Sequence, residues 1–151
     1  MKILGVRCSN LDYTFAVVDG TQEKPNILER KTFPFPSFER LKTLQWLYKE
    51  IEDLIHKYEP RGVMIKRAEF SPQKKTTLFQ RVENEAIVLL AVANKNIDYF
   101  DDRIKSTIAK KLGYKGKGHY LNNYFINKKL PDLDKESDKI KEAVLVAISG
   151  L

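Results

Sequence analysis

Short apolar runs open the chain. Residues 2–7 (KILGVR) are an apolar run too brief for a helix, the mark of a buried strand. After a polar stretch over 8–12, residues 13–18 (YTFAVV) predict a second strand, closed by the turn pair Asp19-Gly20. Residues 26–33 (NILERKTF) predict a third, which Pro34 and Pro36 stop. The three read as a meander.

The periodicity then changes. Ser37 is a candidate N-cap, and Leu41, Leu44, Tyr48, Ile51, Ile55 and Tyr58 recur every three or four residues, one apolar face of a long helix that Glu59-Pro60 ends. Residues 62–70 (GVMIKRAEF) predict a fourth strand, parallel to the first because the helix between them is a crossover. A loop over 71–75 leads to a helix over 76–95. Its stretch 86–93 is apolar on every side, which predicts a helix sandwiched rather than lying on the surface. Residues 97–100 predict a short fifth strand. A short helix over 102–112, the loop GYKGKG, a helix over 119–129, a linker over 130–135 and a last helix ending AVLVAISGL follow. The order β-β-β-α-β-α-β-α-α-α predicts an α/β fold, a mixed five-stranded sheet built as a β-meander and then βαβ crossovers, with helices on both faces. Residues 1–151 read as one domain.

Composition narrows the class. Hydrophobic residues are 42% of the 151 and charged residues 31%, enough to build a core and too little charge for a disordered chain. The one cysteine, Cys8, excludes an internal disulfide framework and a cysteine-based zinc knuckle, and suits a reducing compartment. No apolar run approaches the roughly 18–20 residues needed to span a bilayer, and the start does not read as a signal peptide. The expectation is a cytoplasmic protein with no membrane partner.

The net charge of +7 is unevenly spread. Residues 61–81 carry Arg61, Lys66, Arg67, Lys74, Lys75 and Arg81 against Glu69 alone, and residues 101–120 carry a surplus of +4. These two windows hold more than the whole excess, and clustered positive charge attracts polyanions through counterion release.

The strand opening ILGV, the strand VMIK, the small-residue helix AIVLLAVA, the segment RIKSTIAKKLGYKGKG after the fifth strand, and a last helix in which Glu142 precedes Ala143-Val144-Leu145 together resemble the RNase H-like superfamily. Within it, the chain is most similar to the RuvC-type Holliday junction resolvases, over nearly its whole length. The resemblance implies two-metal phosphodiester hydrolysis, with two Mg²⁺ ions clamping the attacking water and leaving oxygen between carboxylates. It places those carboxylates on the first strand, at the end of the fourth, and at two positions on the last helix. Here the first position is Arg7 and the second Lys66; on the last helix stand Glu142 and, one turn earlier, Lys139 or Asp138. Two acids have become bases, and Lys and Arg offer only donors. The expectation is therefore no metal, no cofactor and no metal-dependent nuclease activity, with Arg7 and Lys66 paired to Glu142 and Asp138 because buried unpaired charge is costly. A phosphate-binding role for the two bases stands second.

The loop 113–118 sets Lys115 and Lys117 among three glycines, with Lys110, Lys111, His119 and Tyr120 beside it. Glycines let backbone amides approach a phosphate and lysines supply charge, although the spacing is not that of a P-loop. Arg67, Lys74, Lys75 and Arg81 flank the fourth strand's carboxyl end, where α/β sheets bind ligands. His56 falls on a polar helix face, Cys8 reads as a small core residue, and Phe33, Phe35 and Phe38 as a core plug.

The favoured reading is a catalytically degenerate domain that binds nucleic acid, DNA ahead of RNA, through these basic segments. Two alternatives stay open: a protein-interaction or regulatory scaffold, and a nuclease with a displaced site on Glu69, Asp101, Asp138 and Glu142. The resemblance also implies a homodimer, with no interface legible in the pattern.

Overall fold

A computed structural model describes residues 1–37, 39–70, 75–114 and 130–151. Its first three strands are β1 (Ile3–Cys8), β2 (Asp12–Gly20) and β3 (Pro25–Pro34), followed by α1 (Arg40–Tyr58) and β4 (Gly62–Lys66). Then come α2 (Lys75–Ala93), β5 (Tyr99–Arg103), α3 (Lys105–Lys111), a 3-10 turn at Pro131–Leu133 and a final helix, α4 (Asp138–Ile148). The sheet order is β3-β2-β1-β4-β5, with β1–β2–β3 antiparallel and β4 parallel to both β1 and β5. This is the expected mixed sheet of a meander followed by crossovers. The expected helix over 119–129 and the lysines of the 113–118 loop lie outside the described residues.

Strand alternation assigns the two faces. Leu4, Val6, Phe15, Val17, Val63 and Ile65 point to one side, where Leu47 and Ile51 of α1 and Val88, Ala91 and Val92 of α2 cover them. Ile3, Ala16, Val18 and Met64 point to the other side, against α4 and the buried Ile108 and Ala109 of α3. Tyr13 stacks on Phe33 at 5.6 Å and on Phe35 at 6.5 Å, so those aromatics plug the first core as expected, while Phe38 lies outside the described residues. Cys8 is buried and His56 exposed, as their positions implied.

Several expectations need correction. The sandwiched helix is α4, not α2. Every residue of α4 from Ile140 to Ile148 is buried, including Lys141 and Glu142. The sheet lies on one side of it, and α3, Tyr114, Leu130 and Leu133 close the other. In contrast α2 buries one face and leaves Phe79, Val82, Leu89 and Leu90 exposed. The fourth strand ends at Lys66 rather than Phe70, because the last ladder contact, Arg67 N–H to the Arg103 carbonyl at 2.9 Å, completes its pairing with β5. The fifth strand is 99–103, not 97–100, so Asp102 is a strand residue and α3 starts only at Lys105. Ser37 does not cap α1. The helix starts at Arg40 after Glu39 with no side-chain cap, and Leu41 of its first turn is exposed. Its end agrees with the sequence: Glu59 adopts a left-handed conformation (φ 46°) and Pro60 follows.

One glycine sets the site's geometry. A Cβ on Gly5 would lie 2.2 Å from the Ala143 carbonyl oxygen and 2.8 Å from the Ala147 Cβ. Gly5, Ala143 and Ala147 thus let α4 press directly onto β1, which carries Glu142 up to Arg7.

Candidate functional site: a charge-balanced centre at the sheet's carboxyl edge

The parallel strands β1, β4 and β5 end on the same edge, and Arg7, Lys66 and Arg103 stand at or near those ends. Arg7 lies on the α4 face. Its Nε donates to Glu142 Oε2 at 2.6 Å, with side chains only 15% and 9% exposed. Lys66 does not reach Glu142 or Asp138. Its ammonium, 2% exposed, donates to Glu69 Oε2 at 2.8 Å and to the Arg67 carbonyl at 2.7 Å. The short fourth strand explains the exchange: the chain turns out of the sheet after Lys66 and swings Glu69 back over it. Lys139, which the resemblance set beside Glu142, instead binds the Asp12 carboxylate at the start of β2. Asp138 sits in the first turn of α4, below the Ser137 cap.

Three residues of α2 complete the cluster. Arg81 Nε donates to Glu85 Oε1 at 3.0 Å and its Nη2 to the Lys66 carbonyl at 3.3 Å. Glu85 also accepts the Ala68 backbone N–H at 3.1 Å, and Asn84, fully buried, donates to the Ser9 carbonyl at 2.7 Å. Four cations, Arg7, Lys66, Arg81 and Lys139, therefore meet four carboxylates, Glu142, Glu69, Glu85 and Asp12, each in its own pair.

Burial holds the Lys66 ammonium below its ordinary pKa, though Glu69 and Glu142 work the other way. For Glu69, burial tends to raise the carboxyl. The Lys66 hydrogen bond and charge, with the Lys105 backbone amide, outweigh it and leave Glu69 below its usual value. Burial also pushes the Cys8 thiol far up, which leaves it protonated and unreactive.

The resemblance implies a pair of divalent ions here, and the residues present do not fit them. Glu142 and Glu69 are each committed to a cation of the chain at hydrogen-bond distance. Among the described residues, no three of His, Cys, Asp and Glu gather closely enough to hold a metal ion. The acids of the displaced-site alternative are also scattered: Asp101 on β5 accepts from Arg103 Nε at 2.8 Å, whereas Glu69 follows β4 in a loop and Glu142 lies on α4.

The basic segments separate into two groups. Arg67, Lys75, Lys110 and Lys111 are exposed, Arg67 with Asp102 at 3.3 Å, whereas Arg81 is half-buried and committed to the cluster. Lys74, Lys115, Lys117, His119 and Tyr120 lie outside the described residues. The β4–β5 pairing brings Arg67 beside Arg103 and Lys105, so the two basic windows meet at the edge that holds Arg7. Sequence reasoning passed over Asp12, Asn84, Glu85 and Arg103. The four-residue spacing of Arg81 and Glu85 was a legible signal of the third pair.

A scan against protein-family models matches nothing, nor does a search of curated proteins. Solved structures do match. Thermus thermophilus RuvC superposes with a TM-score of 0.78 at 14% identity, covering 99% of this chain and 92% of that chain. The same protein in complex with Holliday junction substrate gives 0.75 at 13%, covering 99% and 91%. The yeast mitochondrial Holliday junction resolvase Ydc2 gives 0.67 at 12%, covering 97% and 76%. At such identities the likeness speaks for the fold alone: the chain has a RuvC-like RNase H fold. No helix among the described residues is long and apolar enough to cross a membrane.

Proposed function

We propose that this chain is a catalytically silent RuvC-like domain that binds nucleic acid, DNA ahead of RNA, and acts in the cytoplasm. The observation that carries the reading is the Arg7–Glu142 ion pair at 2.6 Å, with Lys66 buried on Glu69 beside it, in the place where the family resemblance puts metal-holding carboxylates. A centre with fixed cations at two of those positions repels Mg²⁺ and cannot polarise a phosphodiester through it. Exposed Arg67, Lys75, Lys110 and Lys111 supply phosphate contacts, and the relative solved with a Holliday junction substrate supports DNA as the partner.

The test is fluorescence anisotropy with four-way-junction, duplex and single-stranded DNA at two salt concentrations. Binding that weakens steeply with salt, without cleavage in Mg²⁺ or Mn²⁺, is the expected result. No binding at low salt removes the nucleic-acid reading and leaves the scaffold alternative. Metal-dependent cleavage lost in Glu142→Gln restores the nuclease one.

The domain acts as a homodimer on this reading, through the uncovered side of α2. Phe79, Val82, Ala86, Leu89 and Ala93 recur at alternating spacings of three and four, and Leu90 and Phe100 of edge strand β5 widen the stripe. A two-fold axis at Ala86 sets Phe79 of one copy on Ala93 of the other and Val82 opposite Leu90, large against small. The large side chains here are 39–71% exposed. At on the order of 150–200 Å² for a whole Phe or Leu they offer about 400 Å² per copy, half of what each partner gives a standard interface. Light scattering should report a dimer for the native chain and a monomer for Leu90→Glu; a native monomer at high concentration refutes the pairing.

A further inference from the structure

From the layering of charge around one cleft, we infer that the centre is a seat for the terminal phosphate monoester of a nucleic-acid strand. The inference rests on the nucleic-acid reading above and names its ligand group. The cleft, about 230 Å³, opens between the β1–β2 turn, α2 and α4, and Arg7, Arg81 and Lys139 line it with Ser9 and Thr77, the Ser9 hydroxyl donating to Asp12 Oδ1 at 2.7 Å. The carboxylates that hold those three cations, Glu142, Glu85 and Asp12, do not line it. They hold the cations from outside the lining. Among the described residues Glu69 is the one carboxylate on the lining, and Lys66 pairs with it at 2.8 Å. The wall therefore presents a net +2 although the whole cluster is neutral.

Arg7 carries a second sign of a missing partner. Its Nε is satisfied by Glu142, but Nη1 is buried with no hydrogen-bond acceptor among the described residues. A buried unpaired donor is costly, and an oxyanion entering beside Arg7 supplies what the chain does not. The same arrangement rejects a metal cation. Two guanidinium groups and an ammonium suit a tetrahedral group with several acceptor oxygens, which Arg recognises bidentately. The wall's charge matches the dianion of a phosphomonoester, whose second pKa lies near 6, better than the single charge of an internal phosphodiester.

The experiment compares short DNA duplexes carrying 5′-phosphate, 3′-phosphate or only hydroxyl ends by anisotropy, with inorganic phosphate as competitor and as additive in thermal unfolding. The expected result is at least ten-fold tighter binding of a phosphorylated end, competed by inorganic phosphate, which also raises the unfolding temperature of the protein alone. Arg7→Met combined with Glu142→Gln removes an ion pair as a unit and should bring the ratio to one. Lys139→Gln, altering a more exposed wall residue, should reduce it several-fold even if the first variant folds poorly. Equal binding of all ends without phosphate competition overturns the seat and leaves the nucleic-acid reading intact. Phosphate stabilisation without DNA binding overturns that reading and leaves the seat.

Discussion

The Arg7–Glu142 pair makes a quantitative demand on stability. Its charges sit at hydrogen-bond distance, 2.6 Å between Nε and Oε2, on side chains 15% and 9% exposed. Two unit charges about 4 Å apart attract by about 4 kcal/mol at an effective dielectric near 20. Glu142→Gln keeps the shape but strands the guanidinium, and breaking a buried pair from one side costs about 3–5 kcal/mol. Arg7→Met strands the carboxylate and should cost a similar amount. The double variant strands nothing. Because Nη1 has no acceptor among the described residues, the pair recovers its desolvation incompletely, so the double variant should lie within about 1 kcal/mol of the native chain or above it. The coupling energy should therefore exceed about 3 kcal/mol. Urea unfolding followed by the fluorescence of Trp46, which packs edge-on against Tyr13 at 5.8 Å, reads all four proteins. With a slope of roughly 2 kcal/mol/M, each single variant should lose about 1.5–2.5 M in midpoint. Single variants within about 0.5 kcal/mol of native and additive with one another would refute the buried pairing and, with it, the account of the centre.

Two further predictions use the neighbouring charge. Lys66 is held below its ordinary pKa of 10.5 chiefly by burial, so the unfolded chain binds its proton more tightly than the folded one. Its charged form then destabilises the fold at neutral pH, a penalty relieved as pH rises through the folded value toward 10.5. The native chain should gain stability over Lys66→Met across that alkaline window, and a flat difference in urea midpoint would show that Lys66 is solvated. Arg7→Asp combined with Lys66→Glu puts two carboxylates beside Glu142 and Glu69. That protein should be destabilised without metal and recover with Mn²⁺, gaining about 2.7 kcal/mol at a hundredfold excess over Kd, a rise of several degrees in unfolding temperature. Mn²⁺ should leave the native chain unmoved, and a folded double variant equally indifferent would place the metal-binding positions elsewhere.

Much of the architecture was legible because burial wrote itself into spacing. Brief apolar runs in β1, β2 and β4, and the three-and-four periodicity of α1, follow directly from what each element hides. The failures share a physical cause: tertiary partners that make charged residues acceptable inside. Asp102-Arg103 looked like a helix start, yet it forms a strand because pairing with Gly62–Lys66 prevails and Arg103 finds Asp101 and the Ser149 hydroxyl at 2.8 Å. In α4, Lys141 and Glu142 gave no sign of burial, yet contacts from both sides cover the helix from Ile140 to Ile148. The converse error was α2, whose apolar circumference suggested full burial while its outer stripe faces solvent. Arg7, Lys66 and Glu142 were found from their places in the element order. Their partners were only half visible, because Glu69 reaches Lys66 through a strand ending that no local pattern announces.

The centre's logic is that of charge delivered to a place that must be neutralised. The ends of β1 and β4 and the middle of α4 bring side chains into a partly buried cleft, and Gly5 with Ala143 lets the helix press directly onto β1. On the proposed reading, a carboxylate-only version of such a centre depends on divalent ions for its balance, so its integrity is tied to metal supply. Cations fixed at positions 7 and 66 make the balance internal, and the second ring of Arg81–Glu85 and Lys139–Asp12 extends it outward. The exchange is also hard to reverse by single steps. Arg7→Asp alone leaves Lys66 buried beside Glu69 with a new carboxylate that has no counterion assigned to it, while Lys66→Glu alone leaves Arg7 still holding Glu142. Either intermediate carries the cost of an unpaired buried charge without gaining the oxygen donors a metal needs. On that reading, a chain that has crossed to internal pairing is held there by folding stability, which is a physical reason for such a scaffold to persist once its chemistry is lost.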